Sequence, residues 1–242
     1  MLPYLLMYHS ITDARHDPYL ITVGPDRFER QLDWLRRRGL RGTSVGELLA
    51  ARAAARAAGR DATDATAHLV GLTFDDGYAD FLTNALPVLR RYNWTATVFV
   101  VACRLGGDNG WDPKGPRKPL MTGDQVRRVA DAGMEIGSHG LRHVSLPDTD
   151  DPTLADELRT SRAILREISG TPVDGFCYPY GHVDARTIAA VRTAGYDYGA
   201  AIWPSPFTGR NALPRTYIGD RDRAPQLFAK RIRHQFGFTR DR

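Results

Sequence analysis

The sequence lacks the features that mark membrane proteins and disulfide-rich secreted proteins. None of its apolar runs approaches the roughly 18 residues of a membrane-spanning helix. The apolar start, MLPYLLMY, has no basic segment before it and is short for a signal peptide. We therefore interpret it as a first strand and expect a cytoplasmic protein. Two cysteines, Cys103 and Cys177, are too few for a disulfide framework or a thiolate zinc site.

Acidic residues are scarce only towards the end of the chain. The net charge of the 242 residues is +5, and residues 210–242 contain nine basic and three acidic residues, a net +6. The rest of the chain is therefore net −1. A solvated basic face explains this segment, and a docking face for an anionic partner is the alternative. We expect no nucleic-acid partner, and the sequence leaves the oligomeric state open.

Apolar runs of strand type alternate with helical segments along the whole chain. The predicted strands are 4–8, 69–74, 95–101, 134–137, 175–178, 198–202 and 213–218. The predicted helices are 26–38, one that Ser44 and Glu47 cap, 81–92, 124–132, 154–168, 185–194 and 225–236. This alternation indicates parallel strands joined by crossover helices. About seven strands favour a single α/β barrel domain over residues 1–242, although periodicity also allows an open sheet.

Two adjacent acids and a histidine pair follow predicted strands. Asp75 and Asp76 end the run VGLTFDD, and His139 and His143 lie in GSHGLRH. Residues after parallel barrel strands share one face, and histidines four apart on a helical turn can bind one ion. Metal binding keeps one carboxylate ionised while its neighbour acts as a base. These residues predict a catalytic metal site, with a phosphoesterase or a metal-dependent binding protein as alternatives to a metal hydrolase.

Three sequence motifs, two of which contain these candidate residues, resemble those of a known enzyme family. TFDDG, SHGLRH and FCYPYG at residues 176–181 closely resemble the polysaccharide deacetylases, carbohydrate esterases of the chitooligosaccharide-deacetylase type. The motifs come in the order and spacing of that family, and the resemblance spans nearly the whole chain. LLMYHSI and LPRTYI resemble the subgroup of exopolysaccharide and poly-N-acetylglucosamine deacetylases.

The resemblance implies a distorted (β/α) barrel and metal-dependent removal of acetyl from an N-acetylated sugar. Asp75 matches the general base of the family, and Asp76, His139 and His143 match its metal ligands. Tyr180 matches the residue whose backbone N–H helps to form the oxyanion hole. Zn²⁺ is the expected ion, and a site of this composition also accepts Co²⁺ or Ni²⁺.

The sequence departs from the common family pattern at two points. Cys177 stands where the third motif usually has an arginine that orients the base, and we expect Arg215 to supply that guanidinium, with a structural salt bridge as the alternative. The common late histidine, the acid for the leaving amine, is also missing. His234 lies in a basic helical segment and is interpreted as an exposed surface residue, so His9 after strand one is the predicted acid. A partly buried histidine at the barrel rim is the alternative for His9.

Aromatic residues near strand ends are candidates for stacking on a sugar ring. Trp111 lies in the long Gly- and Pro-rich connection 104–121, Tyr178 ends the predicted strand 175–178, and Trp203 follows the predicted strand 198–202. Core packing is the alternative for each of them. Asp184 is predicted to cap the helix that begins at residue 185.

Two other functions stay open at this level. A deacylase that acts on a small cytosolic intermediate fits the absence of a signal peptide. A non-catalytic sugar-binding barrel is the second alternative, although such a protein has no need of a base beside a metal ligand.

Overall fold

The computed structural model of this protein describes residues 1–13 and 15–237, so residues 238–242, the end of the basic segment, lie outside the described residues. The strands are β1 (Leu5–Tyr8), β2 (Ser10–Ile11), β3 (Thr22–Val23), β4 (Arg41–Thr43), β5 (Leu69–Phe74), β6 (Thr97–Val100), β7 (Glu135–Ser138), β8 (Gly175–Cys177), β9 (Tyr198–Ala200) and β10 (Thr216–Tyr217). Seven of them are neighbours in the order β10-β1-β5-β6-β7-β8-β9, and β4 pairs with β5. β2 and β3 form a separate pair beside the sheet.

Each predicted helix is present. The helices are α1 (Pro25–Arg36), α2 (Val45–Ala57), α3 (Ala62–Ala65), α4 (Leu86–Arg91, preceded by a π-helical turn, Phe81–Ala85), α5 (Gly123–Asp131), α6 (Asp151–Ser169), α7 (Ala185–Thr193) and α8 (Ala224–Gly237). Short 3₁₀ turns cover Ala102–Arg104, Leu146–Asp148 and Pro179–Gly181. Ser44 and Glu47 form the capping box of α2, and Asp184 accepts from the backbone N–H of Thr187 at the start of α7. Side-chain caps therefore set these two starts, because they satisfy backbone donors that a helix leaves unpaired.

The named strands pair in parallel, and α1, α2, α5, α6 and α7 pack against strands of the sheet. β1 and β5 are buried along their whole length, which explains why they read as continuous apolar runs rather than as an alternating pattern. Gly137 in β7 leaves room for a neighbouring ring, because a Cβ there would lie 2.4 Å from Phe99. The interior between the strands is thus filled by side chains.

Closure of the sheet is incomplete between β9 and β10. β9 and β10 are not paired as strands, and the segment before β10 contacts β9 through a bridge between Ala200 and Leu213 and through the Arg215 N–H, which donates to the carbonyl of Ile202 at 3.2 Å. The predicted distorted (β/α) barrel of about seven parallel strands is confirmed. Within the described part of the chain, no helix has both the length and the apolar character needed to cross a membrane.

Candidate metal centre and active site

Asp75 and Asp76 follow the end of β5 and contact different partners. The Asp75 N–H donates to the carbonyl of Tyr8 at 3.0 Å, which continues the pairing with β1. Asp76 then takes a left-handed backbone conformation with φ 71°, followed by Gly77 with φ 76°. Such a conformation is unfavourable for a residue with a Cβ and is concentrated at functional sites. The turn separates two buried carboxylates that are adjacent in sequence.

Asp76 faces both histidines of the second motif. Its Oδ1 lies 3.3 Å from Nε2 of His139 and 3.3 Å from Nε2 of His143. This oxygen is buried and accepts no hydrogen bond from the described residues. Burial raises the pKa of Asp76, but the approach of the two histidines lowers it by more, so the pKa is well below its usual range. A buried carboxylate oxygen and two imidazole nitrogens, all within 4.8 Å of one another, are a donor set that fits a divalent metal.

The two histidines converge without a helix. Residues 139–145 are irregular, and both Gly140 (φ 79°) and His143 (φ 64°) are left-handed. The helical turn predicted from the four-residue spacing is therefore wrong. The histidines meet because the loop doubles back, and Nδ1 of His139 is anchored on the backbone carbonyl of Cys177 at 2.8 Å.

Glu157 holds this loop from beneath, and sequence reasoning missed it. Its Oε2 accepts hydrogen bonds from the backbone N–H groups of Leu141 (2.7 Å) and Arg142 (3.0 Å), and its Oε1 pairs with the Arg142 guanidinium at 3.0 Å. A Cβ at Gly140 would lie 3.0 Å from the same carboxylate. The available signal was an acid within the apolar face of α6, between Leu154 and Leu158.

Arg215 binds Asp75 from the gap in the barrel. Its Nη1 donates to Oδ1 of Asp75 at 2.6 Å, and its Nη2 donates to Oδ2 at 2.8 Å. The remaining contacts go to Thr73 Oγ1 (3.0 Å), the Ala201 carbonyl (3.1 Å) and Cys177 Sγ (3.1 Å). Arg215 precedes β10, whereas the sequence placed it on or just after a strand. Burial raises the pKa of the Cys177 thiol, which keeps it uncharged beside the ion pair.

The two histidines considered as the acid lie in different parts of the barrel. His9 follows β1, and its Nε2 is 3.8 Å from Oδ2 of Asp75, so it lies beside this carboxylate and not across the site from it. His234 is buried, and its ring is 4.7 Å from that of Tyr4, at the amino end of β1. The surface interpretation of His234 is therefore wrong. Burial also lowers the pKa of His234 to about 4.

The aromatic candidates for sugar stacking also lie in different surroundings. Trp111 stacks on the ring of His143, with centroids 4.4 Å apart and planes 17° apart. Tyr180 meets the same ring edge-on at 4.6 Å. Trp203 is 66% exposed after β9. Tyr178 is buried in the core, and its hydroxyl donates to the carbonyl of Asn211 at 2.7 Å. Tyr178 has no exposed ring face for a sugar, so core packing accounts for it.

Comparison with known proteins places this barrel among deacetylases. The chain is 26% identical over 217 residues to YxkH of Bacillus subtilis (strain 168), named as a polysaccharide deacetylase, and the match covers 88% of this chain and 70% of that protein. It is 28% identical over 229 residues to the poly-beta-1,6-N-acetyl-D-glucosamine N-deacetylase of Escherichia coli (strain K12), covering 79% of this chain and 32% of that enzyme. This chain thus spans about a third of the E. coli enzyme's length.

Solved structures share the fold. A de-N-acetylase from Aggregatibacter actinomycetemcomitans has a TM-score of 0.77 at 19% identity, covering 95% of this chain and 100% of that one. IcaB from Ammonifex degensii has a TM-score of 0.71 at 22% identity, covering 95% and 96%. The polysaccharide deacetylase family model matches residues 62–199, more than half of the sequence. The chain therefore belongs to the polysaccharide deacetylase family.

Proposed function

We propose that this protein is a metal-dependent N-deacetylase that removes the acetyl group from an N-acetylated sugar, within a single catalytic domain over residues 1–242. The observation that carries the proposal is the buried Oδ1 of Asp76, which accepts no hydrogen bond from the described residues and lies 3.3 Å from the Nε2 atoms of both His139 and His143. Buried polar atoms nearly always have a partner, so this convergence supports a bound cation. Zn²⁺ suits the donor set best, and Co²⁺ or Ni²⁺ also fit.

A divalent ion at this position would polarise the amide carbonyl and make a water molecule more acidic. Asp75 is the proposed base that accepts the proton of the attacking water. Burial raises the pKa of Asp75, but the charge and hydrogen bonds of Arg215 outweigh it, so the pKa is lowered. Arg215 thus keeps Asp75 ionised, while each carboxylate oxygen retains a lone pair for the proton.

The proposed acid for the leaving amine is His9. Burial, the main influence on His9, lowers its pKa, so it is neutral near pH 7 before the reaction. Nε2 of His9 lies 3.8 Å from Oδ2 of Asp75, beyond direct hydrogen-bond distance, so the proton that Asp75 takes from water would pass through a bridging water molecule to His9 and then to the amide nitrogen as the C–N bond breaks.

The proposed oxyanion donor is the backbone N–H of Tyr180. This residue has φ 60° in the turn after β8, a costly conformation for a residue with a side chain. A fixed backbone conformation suits an N–H group that must be directed at the oxyanion. A single oxyanion donor contributes a factor of about 10²–10³ to the reaction rate. The substrate class is proposed from the relatives, and the aromatic candidates that are not buried are Trp111, which is half-buried, and Trp203, which is exposed.

The test measures bound metal and released acetate on the same samples. Acetylated amino-sugar oligomers, nucleotide sugars and acetylated metabolites are the substrates. His139→Ala should lose both metal and acetate release, whereas Asp75→Asn should keep the metal and lose about 10²–10⁴ in rate. His68→Ala is the matched control, because His68 is exposed at the amino end of β5.

Each alternative predicts a different result. Acetate from small metabolites and not from oligomers would favour the deacylase of a biosynthetic intermediate. One metal per chain with no acetate from any substrate would favour the sugar-binding barrel. Full metal content in His139→Ala would overturn the ligand assignment.

A further inference from the structure

The two histidines of the metal centre are held in place by different contacts. Nδ1 of His139 donates to the carbonyl of Cys177 at 2.8 Å, whereas the buried Nδ1 of His143 has no hydrogen-bond partner among the described residues. Metal-binding imidazoles usually donate their second N–H to an acceptor, which fixes the orientation of the ring. His143 therefore needs another means of orientation.

Aromatic rings surround His143 where that hydrogen bond is missing. The indole of Trp111 covers one face, nearly parallel to the imidazole at 4.4 Å. Tyr180 and His139 approach the ring at steep angles of 74° and 73°, with centroids 4.6 and 4.9 Å away. Stacked and edge-on contacts have preferred geometries, so together they restrict rotation of the imidazole.

The segment that carries Trp111 is itself anchored in the barrel. The buried ammonium of Lys118 donates to Ser10 Oγ at 3.1 Å and to Thr22 Oγ1, and the Lys118 N–H donates to the buried amide oxygen of Asn109 at 2.8 Å. These contacts tie the connection 104–121 to β2 and β3. The position of Trp111 is therefore built into the fold and does not depend on a substrate.

We infer that Trp111 is a positioning residue of the metal centre, whose indole face holds His143 with Nε2 directed at Asp76. The inference rests on the proposed function, since it presumes a metal at these ligands. It also assigns one face of Trp111 to His143, so only the opposite face is available to a substrate.

Metal affinity without turnover tests the inference. Chelator-stripped protein is titrated with Co²⁺ against a chromophoric competitor for the wild type, Trp111→Leu, Trp111→Phe and His143→Ala. Outer contacts of metal ligands typically contribute 10–100-fold in affinity, so Trp111→Leu should weaken Co²⁺ binding by about that factor. Trp111→Phe keeps a ring and should lose clearly less. Trp203→Leu is the matched control, because this exposed tryptophan should leave affinity unchanged.

A second readout uses the indole itself. Co²⁺ should quench part of the tryptophan emission in the wild type and in Trp203→Phe, and that part should vanish in Trp111→Phe. Equal quenching in both Phe variants, or wild-type Co²⁺ affinity in Trp111→Leu, would overturn the inference. If His143→Ala also binds Co²⁺ like the wild type, the proposed metal centre itself fails, which separates the two failures. Should Trp111→Leu not fold, the comparison of the two Phe variants decides alone.

Discussion

Replacing Arg215 by methionine removes the cation that neutralises Asp75 inside the barrel. The guanidinium makes both short bonds to this carboxylate, and neither side chain is more than 3% exposed. Breaking a buried ion pair by removing one partner typically costs about 3–5 kcal/mol, because the remaining charge stays buried. Methionine fills similar space, so most of the loss should come from Asp75 and not from a cavity.

The sign of the pH effect follows from the same contacts. In the wild type the pKa of Asp75 is lowered, so its contribution to stability is present above the unfolded pKa and disappears as pH falls through the folded one. Without Arg215 the burial effect, which raises the pKa of Asp75, is left largely unopposed. In Arg215→Met the folded pKa of Asp75 is then raised. The contribution of Asp75 to stability is therefore present below the unfolded pKa and is lost as pH rises through the folded pKa. The proposed role of Asp75 as the base requires its ionised form, so the acid limb of kcat/KM should move to higher pH.

Two assays measure these effects. Denaturant unfolding across pH gives the loss of stability, and kcat/KM across pH gives the acid limb. Arg210→Met is the matched control, because Arg210 and Asp197 form an exposed pair, worth roughly 0–1 kcal/mol. The reasoning would be refuted if Arg215→Met lost no more stability than Arg210→Met and if the acid limb of its kcat/KM profile stayed at the wild-type pH. A Cys177→Arg change added to Arg215→Met should restore part of the activity, because it puts a guanidinium where the common third motif has one.

Three further predictions concern other parts of the site. His9→Ala should lose far more turnover on amides than on activated esters, whose leaving groups need little protonation, while His234→Ala should show no such selectivity; equal losses on both substrates in His9→Ala would contradict the assigned role. Glu157→Ala leaves two backbone donors without their acceptor, at about 1–3 kcal/mol each, so it should lower both the unfolding free energy and metal affinity, and exposed Glu167→Ala on the same helix should change neither. Removal of metal by a chelator should lower the Tm, and Zn²⁺ should raise it again through a stabilisation that grows with the logarithm of its concentration over Kd; an unchanged Tm in both directions would count against a bound ion.

The sequence by itself determined the architecture and the side of the barrel that carries the site. Alternating apolar runs and capped helices predict parallel strands, because these patterns depend on local geometry and on burial of both sheet faces. Parallel strands bring their carboxyl ends to one edge of the sheet, so the sequence alone could place Asp76 and His143 together. The expectation of a helical turn between His139 and His143 was wrong. Gly140 and His143 have left-handed backbone conformations, which side-chain periodicity does not reveal.

Only the tertiary structure decided which groups hold those side chains. The sequence named Arg215 as a candidate with a structural salt bridge as the alternative, and the structure shows that it reaches Asp75 across 140 residues of sequence, through the gap between β9 and β10. Glu157, on α6, supports the histidine loop from a position 15 residues after Arg142 in the sequence. Trp111 covers His143 from the connection 104–121. Such contacts depend on how the strands close and how loops fold over their ends. Sequence periodicity reports which face a residue occupies, and it carries no information on which distant residue meets it there.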